Sequence, residues 1–449
     1  METVNLGLIG GGTVGGGVIR ALRRNGALMA SRLGVNLAIR RVAVRTPRKH
    51  QDLDLPEGVL TTDWRQVVED PQVQIVVELA GGTTAARDMV LAALRLGKPV
   101  VTANKALLSA HGPELFRTAA QHGANLYYEA SVAGGIPIIK VLRESLVGNR
   151  VVSLAGIVNG TCNYILTRMK LEGIEFNEVL AEAQRLGYAE AEPSLDVDGH
   201  DAAHKTGILA SLAHGFWVDP KSIHTEGIRQ ISRLDIQFAT RLGYTIKLLG
   251  VIKTFEAAPS GKKKPARKKA VDGPRIQVAV YPALIPNTHV LASVNHAFNA
   301  ISVRGDIVGD TLFYGRGAGA DATASSVLSD LADAALDLKH RSVERVPCFV
   351  AHSSDSRVVP MEEVVSRYYL RLEVIDQPGV FARISALLAR AKIGISSIIQ
   401  PEGHAGETVP VILMIHDASN AAMQKALKQI ARLNVVRAEP VLIRVEPFE

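Results

Sequence analysis

Residues 4–22 read VNLGLIGGGTVGGGVIRAL. Val4 to Ile9 form a short apolar run that feeds directly into Gly10, Gly11, Gly12, Thr13, Val14 and Gly15, after which Val18, Ile19 and Leu22 recur at helical spacing. The order is strand, glycine turn, helix. Further β-rich runs at Val35–Val44, Val73–Leu79 and Pro99–Thr102 alternate with helical segments such as Ala85–Leu96. Alternation of this kind builds a parallel sheet wrapped by helices, a doubly wound α/β layer over about residues 1–130.

From about Glu129 the texture changes. SVAGGIPII is rich in glycine and proline, and the region to about residue 345 mixes long helical patterns with β-like runs such as Gln277–Tyr281. This middle, 131–345, reads as an α+β domain. Residues 366–449 alternate as βαββαβ, with Val380, Ile384, Leu387, Leu388 and Ala391 on one helical face to cover a ferredoxin-like sheet. Such a unit can fold alone.

At 449 residues, 47% hydrophobic and 21% charged, the chain affords two or three packed domains and is not disordered. The net charge of +7 suggests nucleic acid at first, but the insert at about 259–274, with Lys262, Lys263, Lys264, Arg267, Lys268 and Lys269, supplies six of those charges. It has no aromatics to stack on bases, so it reads as a solvated loop and no nucleic-acid partner is expected. Cys162 and Cys348 are the only cysteines and lack CxxC spacing, which fits a reducing cytoplasm rather than a disulfide framework. The start METVNLGLIGGG reads as folded structure, not a signal, and no apolar window is long enough for a membrane span.

Gly10-x-Gly12-x-x-Gly15 fits the dinucleotide fingerprint, in which the glycines serve a tight turn, close pyrophosphate approach and helix-on-strand packing. The helix behind it offers free N–H groups and the positive end of its dipole to phosphates. An NAD site usually carries an acidic residue at the end of the second strand. Here Arg45 stands, followed by Arg48 and Lys49, which suits the 2′-phosphate of NADP better than the free hydroxyl of NAD; solvated loop charges are the plainer alternative.

Residues 187–205 read GYAEAEPSLDVDGHDAAHK, where a polar loop meets a helix beginning near Asp201. Asp201 and Lys205 are four apart and share a helical face. A surface ion pair is the bland reading, but Lys205 leads into GILASLAHGFW, an apolar helix that should be buried. His200 and His204 have HxxxH spacing, yet no glutamate follows the first histidine and no third zinc ligand is evident. Lys105 follows a parallel strand, at the edge where doubly wound folds bind ligands. Two neighbouring lysines would lower each other's pKa, as acid–base work near neutrality needs.

Ala183, Gly187, Tyr188, Ala189, Pro193, Asp196, Gly199, Asp201 and Lys205 stand at the spacing of the homoserine dehydrogenase signature, and the chain resembles that family over nearly its whole length. ELAGG at 78–82, TANK at 102–105 and NGTCNYIL at 159–166 are similar to family segments; Glu192 departs from the Asp, Asn or Ser usual before the proline. The resemblance implies a Rossmann-like nucleotide domain, a central catalytic and dimerisation domain, and reversible NAD(P)-dependent reduction of L-aspartate 4-semialdehyde to L-homoserine in threonine and methionine biosynthesis. It implies Lys205 as proton donor and acceptor assisted by Lys105, which also touches the nicotinamide, and Glu190, Asp201 and Asp196 at the substrate. Nucleotide contacts are implied on Gly10, Gly12, Thr13, Val14, Gly15, Gly187 and Gly319, beside Arg45 as read from its place after the second strand. A monovalent cation, sodium or potassium, is implied on carbonyls of Glu129, Val132, Gly134 and Ile136, where a glycine-rich turn without an ion is the alternative.

The C-terminal unit, with IDQPGVFARIS after its first strand, resembles an ACT domain, which implies an amino-acid effector at Asp376, Gly379 and Val380, L-threonine in this family, and a homodimer or homotetramer. Two other readings compete. A Rossmann reductase of the aspartate-semialdehyde dehydrogenase kind needs a nucleophilic cysteine. A non-catalytic amino-acid sensor would have no use for two lysines among carboxylates.

Overall fold

In the computed structural model, which describes residues 1–255, 273–343, 345–353, 356–404 and 406–448, two sheets organise the chain. The basic insert falls mostly on residues outside these. Strands β1 (Glu2–Ile9), β2 (Val35–Ala43), β3 (Leu60–Thr61), β4 (Ile75–Glu78), β5 (Val100–Thr102) and β6 (Leu126–Tyr127) pair in parallel in the order β3-β2-β1-β4-β5-β6. This is the doubly wound arrangement, with its switch point between β1 and β4. Side chains alternate between faces with period two. Leu6, Leu8, Ile75, Val77 and Val101 pack in one cluster, Ile9, Val76 and Val100 in another, so the strands read as continuous apolar runs because both faces are buried.

The helix Thr13–Leu33 covers the first face beside a late arrival, the helix Ala320–Lys339, whose Ala324, Val327, Leu331, Ala334 and Ala335 complete that cluster. Small residues permit the close approach. A methyl group at Gly17 would sit 2.7 Å from the Ala320 carbonyl oxygen.

The second sheet holds β7 (Val151–Ile157), β8 (His224–Thr225), β9 (Tyr244–Phe255), β10 (Arg275–Pro286), β11 (Phe298–Gly305), β12 (Gly309–Arg316), β13 (Arg357–Val358), β14 (Val365–Ile375), β15 (Ile395–Ile399), β16 (Thr408–Ser419) and β17 (Val441–Val445). Its order is β12-β11-β7-β9-β10-β17-β14-β16-β15, with β8 and β13 also paired to β10. The last four strands and the helices Val380–Arg390 and Asn420–Ile430 form the expected βαββαβ unit. Its sheet does not stand apart, because β17 continues the central sheet through the pairs Ala283–Arg444 and Leu284–Val445. One face of the unit is covered by its own helices. The other sends Tyr369, Ile412, Met414, Ile443 and Val445 into the main core.

The helix His200–His214 starts at Gly199, whose φ of +87° lies in the left-handed region that favours glycine, and ends at Gly215, whose N–H caps the Ser211 carbonyl. It is buried nearly throughout, as its apolar sequence requires. Among the described residues, no helix is long and apolar enough to cross a membrane.

Candidate active site

The glycine loop closes β1 onto the helix Thr13–Leu33. Gly10 has a φ of +111°, and a methyl group at Gly15 would stand 2.1 Å from the Gly10 carbonyl oxygen. Gly12 borders open space, and no side chain caps the helix that Thr13 and Val14 begin. The helix end therefore presents bare N–H groups. Gly319 begins the helix Ala320–Lys339 in the same way, uncapped and open, and Gly17 packs against Ala320, so two helix N-termini meet at the switch point. The Gly10 N–H donates to the Ala43 carbonyl, which places the exposed Arg45 two residues beyond the loop's anchor. Gly187 lies apart from this loop in sequence and is exposed, on the turn leading to Glu190.

At the carboxyl end of β5, Asn104 caps the helix Lys105–Gln121 by accepting from the Leu107 N–H, and its amide donates to the Gly82 carbonyl at 2.7 Å. This fixes Lys105 as the first helical residue. Its ammonium lies 2.9 Å from Asp201 Oδ1. Lys205, one turn beyond Asp201, donates to Asp201 Oδ2 and to the Val158 carbonyl, both at 2.8 Å. Asp201 is 4% exposed and Lys205 8%.

The electrostatics differ from the sequence expectation. The lysines do not face each other bare, because Asp201 stands between them. Burial opposes the charge on Asp201, but Lys205 and Lys105 outweigh it and hold the carboxyl well below the usual carboxylate range. Burial likewise opposes the Lys105 cation, yet Asp201, Asp196 and Glu190 outweigh it and raise its pKa above the ordinary lysine value. All three carboxylates named from the sequence thus act on Lys105.

Asn159 is the organising residue that sequence reading passed over. Its side-chain oxygen caps the helix Gly160–Glu172 by accepting from the Cys162 N–H, while its amide donates to Asp196 at 2.7 Å and to Asp201 at 2.9 Å. Glu78 was also missed. Fully buried at the end of β4, it accepts from Thr102 and from the Ala80 and Gly81 N–H groups, tying two strand ends at the crevice; burial raises its pKa. A carboxylate closing the apolar run QIVVE was the available signal.

Three family models match the chain in order: the homoserine dehydrogenase NAD-binding domain over residues 10–129, homoserine dehydrogenase over 137–332, and the ACT domain over 368–432. The chain belongs to the homoserine dehydrogenase family. It is 42% identical to the homoserine dehydrogenase of Pseudomonas aeruginosa across 99% of both chains. The crystal structure of a homoserine dehydrogenase from Thiobacillus denitrificans matches it with a TM-score of 0.91 at 42% identity, over 100% of this chain and 99% of that one. A hyperthermophilic archaeal homoserine dehydrogenase in complex with NADPH matches at a TM-score of 0.61 and 26% identity, over 75% of this chain and 98% of that one.

As a member of the homoserine dehydrogenase family the protein is an oxidoreductase, with a nucleotide-binding domain, a catalytic domain and a C-terminal ACT domain. Cys162 is buried, and its thiol donates to the Asp196 carbonyl at 3.2 Å and is pushed far above its ordinary pKa by burial. In a homoserine dehydrogenase this cysteine packs rather than attacks.

The remaining family segments fall as follows. Glu129 is buried, and its carboxylate accepts from the Ile139 and Lys140 N–H groups at 2.9 and 2.7 Å; burial pushes it up to about 7. The Gly134 carbonyl accepts from Ser326 and the Ile136 carbonyl from the Ile138 N–H, while Val132 is buried in extended backbone. In the ACT domain, Asp376, Gly379, Val380 and Gln400 line a cavity of about 90 Å³, with Gly379 at the start of the helix Val380–Arg390.

Proposed function

We propose that this enzyme interconverts L-homoserine and L-aspartate 4-semialdehyde with Lys205 as the proton-transfer group. The carrying observation is the Asp201 carboxylate held between Lys105 and Lys205. Oxidation of the terminal alcohol removes a hydride from carbon and a proton from oxygen. A nicotinamide dinucleotide supplies the hydride acceptor when bound. The proton passes to Lys205 Nζ, which must first be neutral. In the free site Asp201 pairs with both Lys205 and Lys105, and Glu190, Asp196 and Asp201 offer the negative charge that complements the substrate's own ammonium group. Lys105, anchored by the Asn104 cap, orients the reacting end.

Gly10, Gly12, Thr13, Val14, Gly15 and Gly319 would hold the pyrophosphate side, with Gly187 as a further nucleotide contact. Arg45 favours NADP over NAD, since no acidic residue stands at the end of β2 and the archaeal relative was solved with NADPH. A parallel assay of homoserine-dependent reduction of NADP and NAD tests both points; homoserine-independent behaviour would support the sensor reading instead.

The carbonyls of Glu129, Val132, Gly134 and Ile136 suit a hard monovalent cation such as sodium or potassium, because a carbonyl that accepts one hydrogen bond keeps a second lone pair. The Glu129 carboxylate is turned to backbone N–H groups and would not ligate it. The cavity beside Asp376 and Gly379 would take an amino-acid effector, L-threonine in our reading. Exposed Val152, Leu312 and Tyr314 around the β7, β11 and β12 region favour a homodimer through the central sheet.

A further inference from the structure

We propose that Glu226 is a positioning residue for the catalytic helix, and that the C-terminal domain reaches the active site through its contact with Arg444. The inference rests on the reading that Asp201 and Lys205 carry the chemistry.

Glu226 follows β8 in a segment that runs directly under the start of the helix His200–His214. Its N–H donates to the Val280 carbonyl, and the Ile228 N–H donates to the Val197 carbonyl, both at 2.8 Å. A methyl group on Gly199 would lie 3.0 Å from the Glu226 carbonyl oxygen, and one on Gly227 would lie 2.2 Å from the Val197 carbonyl oxygen. Backbone therefore rests on backbone, flanked by the Thr225 and Val280 side chains, and little room is left to absorb a shift. Two residues after Gly199 comes Asp201.

The Glu226 carboxylate is held from two sides. His224 Nε2 lies 2.6 Å from Oε1, and Arg444 Nη1 donates to Oε2 at 2.8 Å. Arg444 is 1% exposed, donates through Nη2 to Asn420, and lies over the Tyr281 and Tyr368 rings. A buried guanidinium of this kind depends on its carboxylate partner.

Arg444 also pairs in register with Tyr368 on β14, the strand that runs on to Ile375 and the Asp376 cavity. Beside the ion pair a cleft of about 400 Å³ separates Asp198 and Arg229 from Gln424, Leu427 and Pro440. Glu226 and Arg444 both line that cleft, beside the β10–β17 pairing, so their ion pair adds a charged contact where the two domains already join. The neighbouring Arg229–Asp198 pair is far more exposed and lies within the catalytic side. Asp235, held by Arg371 and Tyr369, docks the domain from a different helix, Arg233–Arg241.

The test measures kcat, the KM for NADP and thermal unfolding in the full-length enzyme for Glu226→Gln, Arg444→Gln, the double variant, Asp235→Asn and Lys205→Ala. Glu226→Gln should lower kcat roughly three- to thirty-fold with little change in the KM for NADP. Arg444→Gln should do the same, and the double variant should be no worse than either. Asp235→Asn should lower the unfolding temperature while leaving kcat near wild type. If Glu226→Gln does not fold, Arg444→Lys, which keeps the charge, serves the comparison. Inactive Lys205→Ala beside fully active Glu226→Gln, or additive losses in the double variant, would overturn the positioning role alone. Normal turnover in Lys205→Ala would overturn the catalytic reading and this inference with it.

Discussion

Lys205 Nζ lies 2.8 Å from Asp201 Oδ2, one helical turn away and almost wholly buried, while the other Asp201 oxygen takes Lys105 at 2.9 Å. One carboxylate therefore serves two ammonium groups, and it helps to raise the pKa of Lys105.

Asp201→Asn keeps the shape and removes that charge. Lys105, whose pKa Asp201 helps to raise and which orients the substrate as a cation, should then titrate at lower pH. The alkaline arm of the kcat profile should move to lower pH and kcat should fall by about 10². An unchanged pH profile would show that Asp201 does not govern Lys105.

Arg45 should decide cofactor choice. Arg45→Glu removes the guanidinium and places a carboxylate where NAD enzymes put one. The ratio of kcat/KM for NADP to that for NAD should fall by about tenfold or more, a loss of about 1.4 kcal/mol for one charge-assisted contact. If NADP and NAD change together, the 2′-phosphate lies elsewhere.

Glu129 gives a pH dependence of stability. Its folded pKa, raised by burial to about 7, exceeds that of the unfolded chain, so the folded state binds the extra proton between those values. Stability from this group is therefore full at low pH and is lost as pH rises through about 7. Glu129→Gln should remove that slope, on the order of 1–3 kcal/mol, in denaturant unfolding at pH 5 and pH 8. Parallel slopes in both proteins would refute the assignment.

The effector cavity is best tested in the intact chain. Cutting before β14 would strip Tyr369, Met414 and Ile443 from the main core and unpair β17 from β10, so truncation should destabilise the enzyme rather than merely desensitise it. Asp376→Ala should weaken threonine inhibition about tenfold with basal kcat unchanged. Equal inhibition in the variant would move the effector to another site.

The fingerprint at Gly10 to Gly15 was legible because its chemistry is local, a turn between a strand and a helix. The βαββαβ order was legible for the same reason, since each element carries its own periodicity. What the sequence hid is long-range. Lys105 and Lys205 are a hundred positions apart, and nothing in either segment says that Asp201 stands between them rather than beside one. The helix Ala320–Lys339 shows an apolar face, but not that the face belongs to the first sheet. Asn159 was passed over because its role, an amide that holds Asp196 and Asp201, depends on the meeting of three segments.

The most direct test of the catalytic account is kcat for Lys205→Ala at saturating homoserine and NADP, with nucleotide binding measured separately. The account predicts a loss of at least about 10² with nucleotide affinity retained. Turnover within a few-fold of wild type would contradict it.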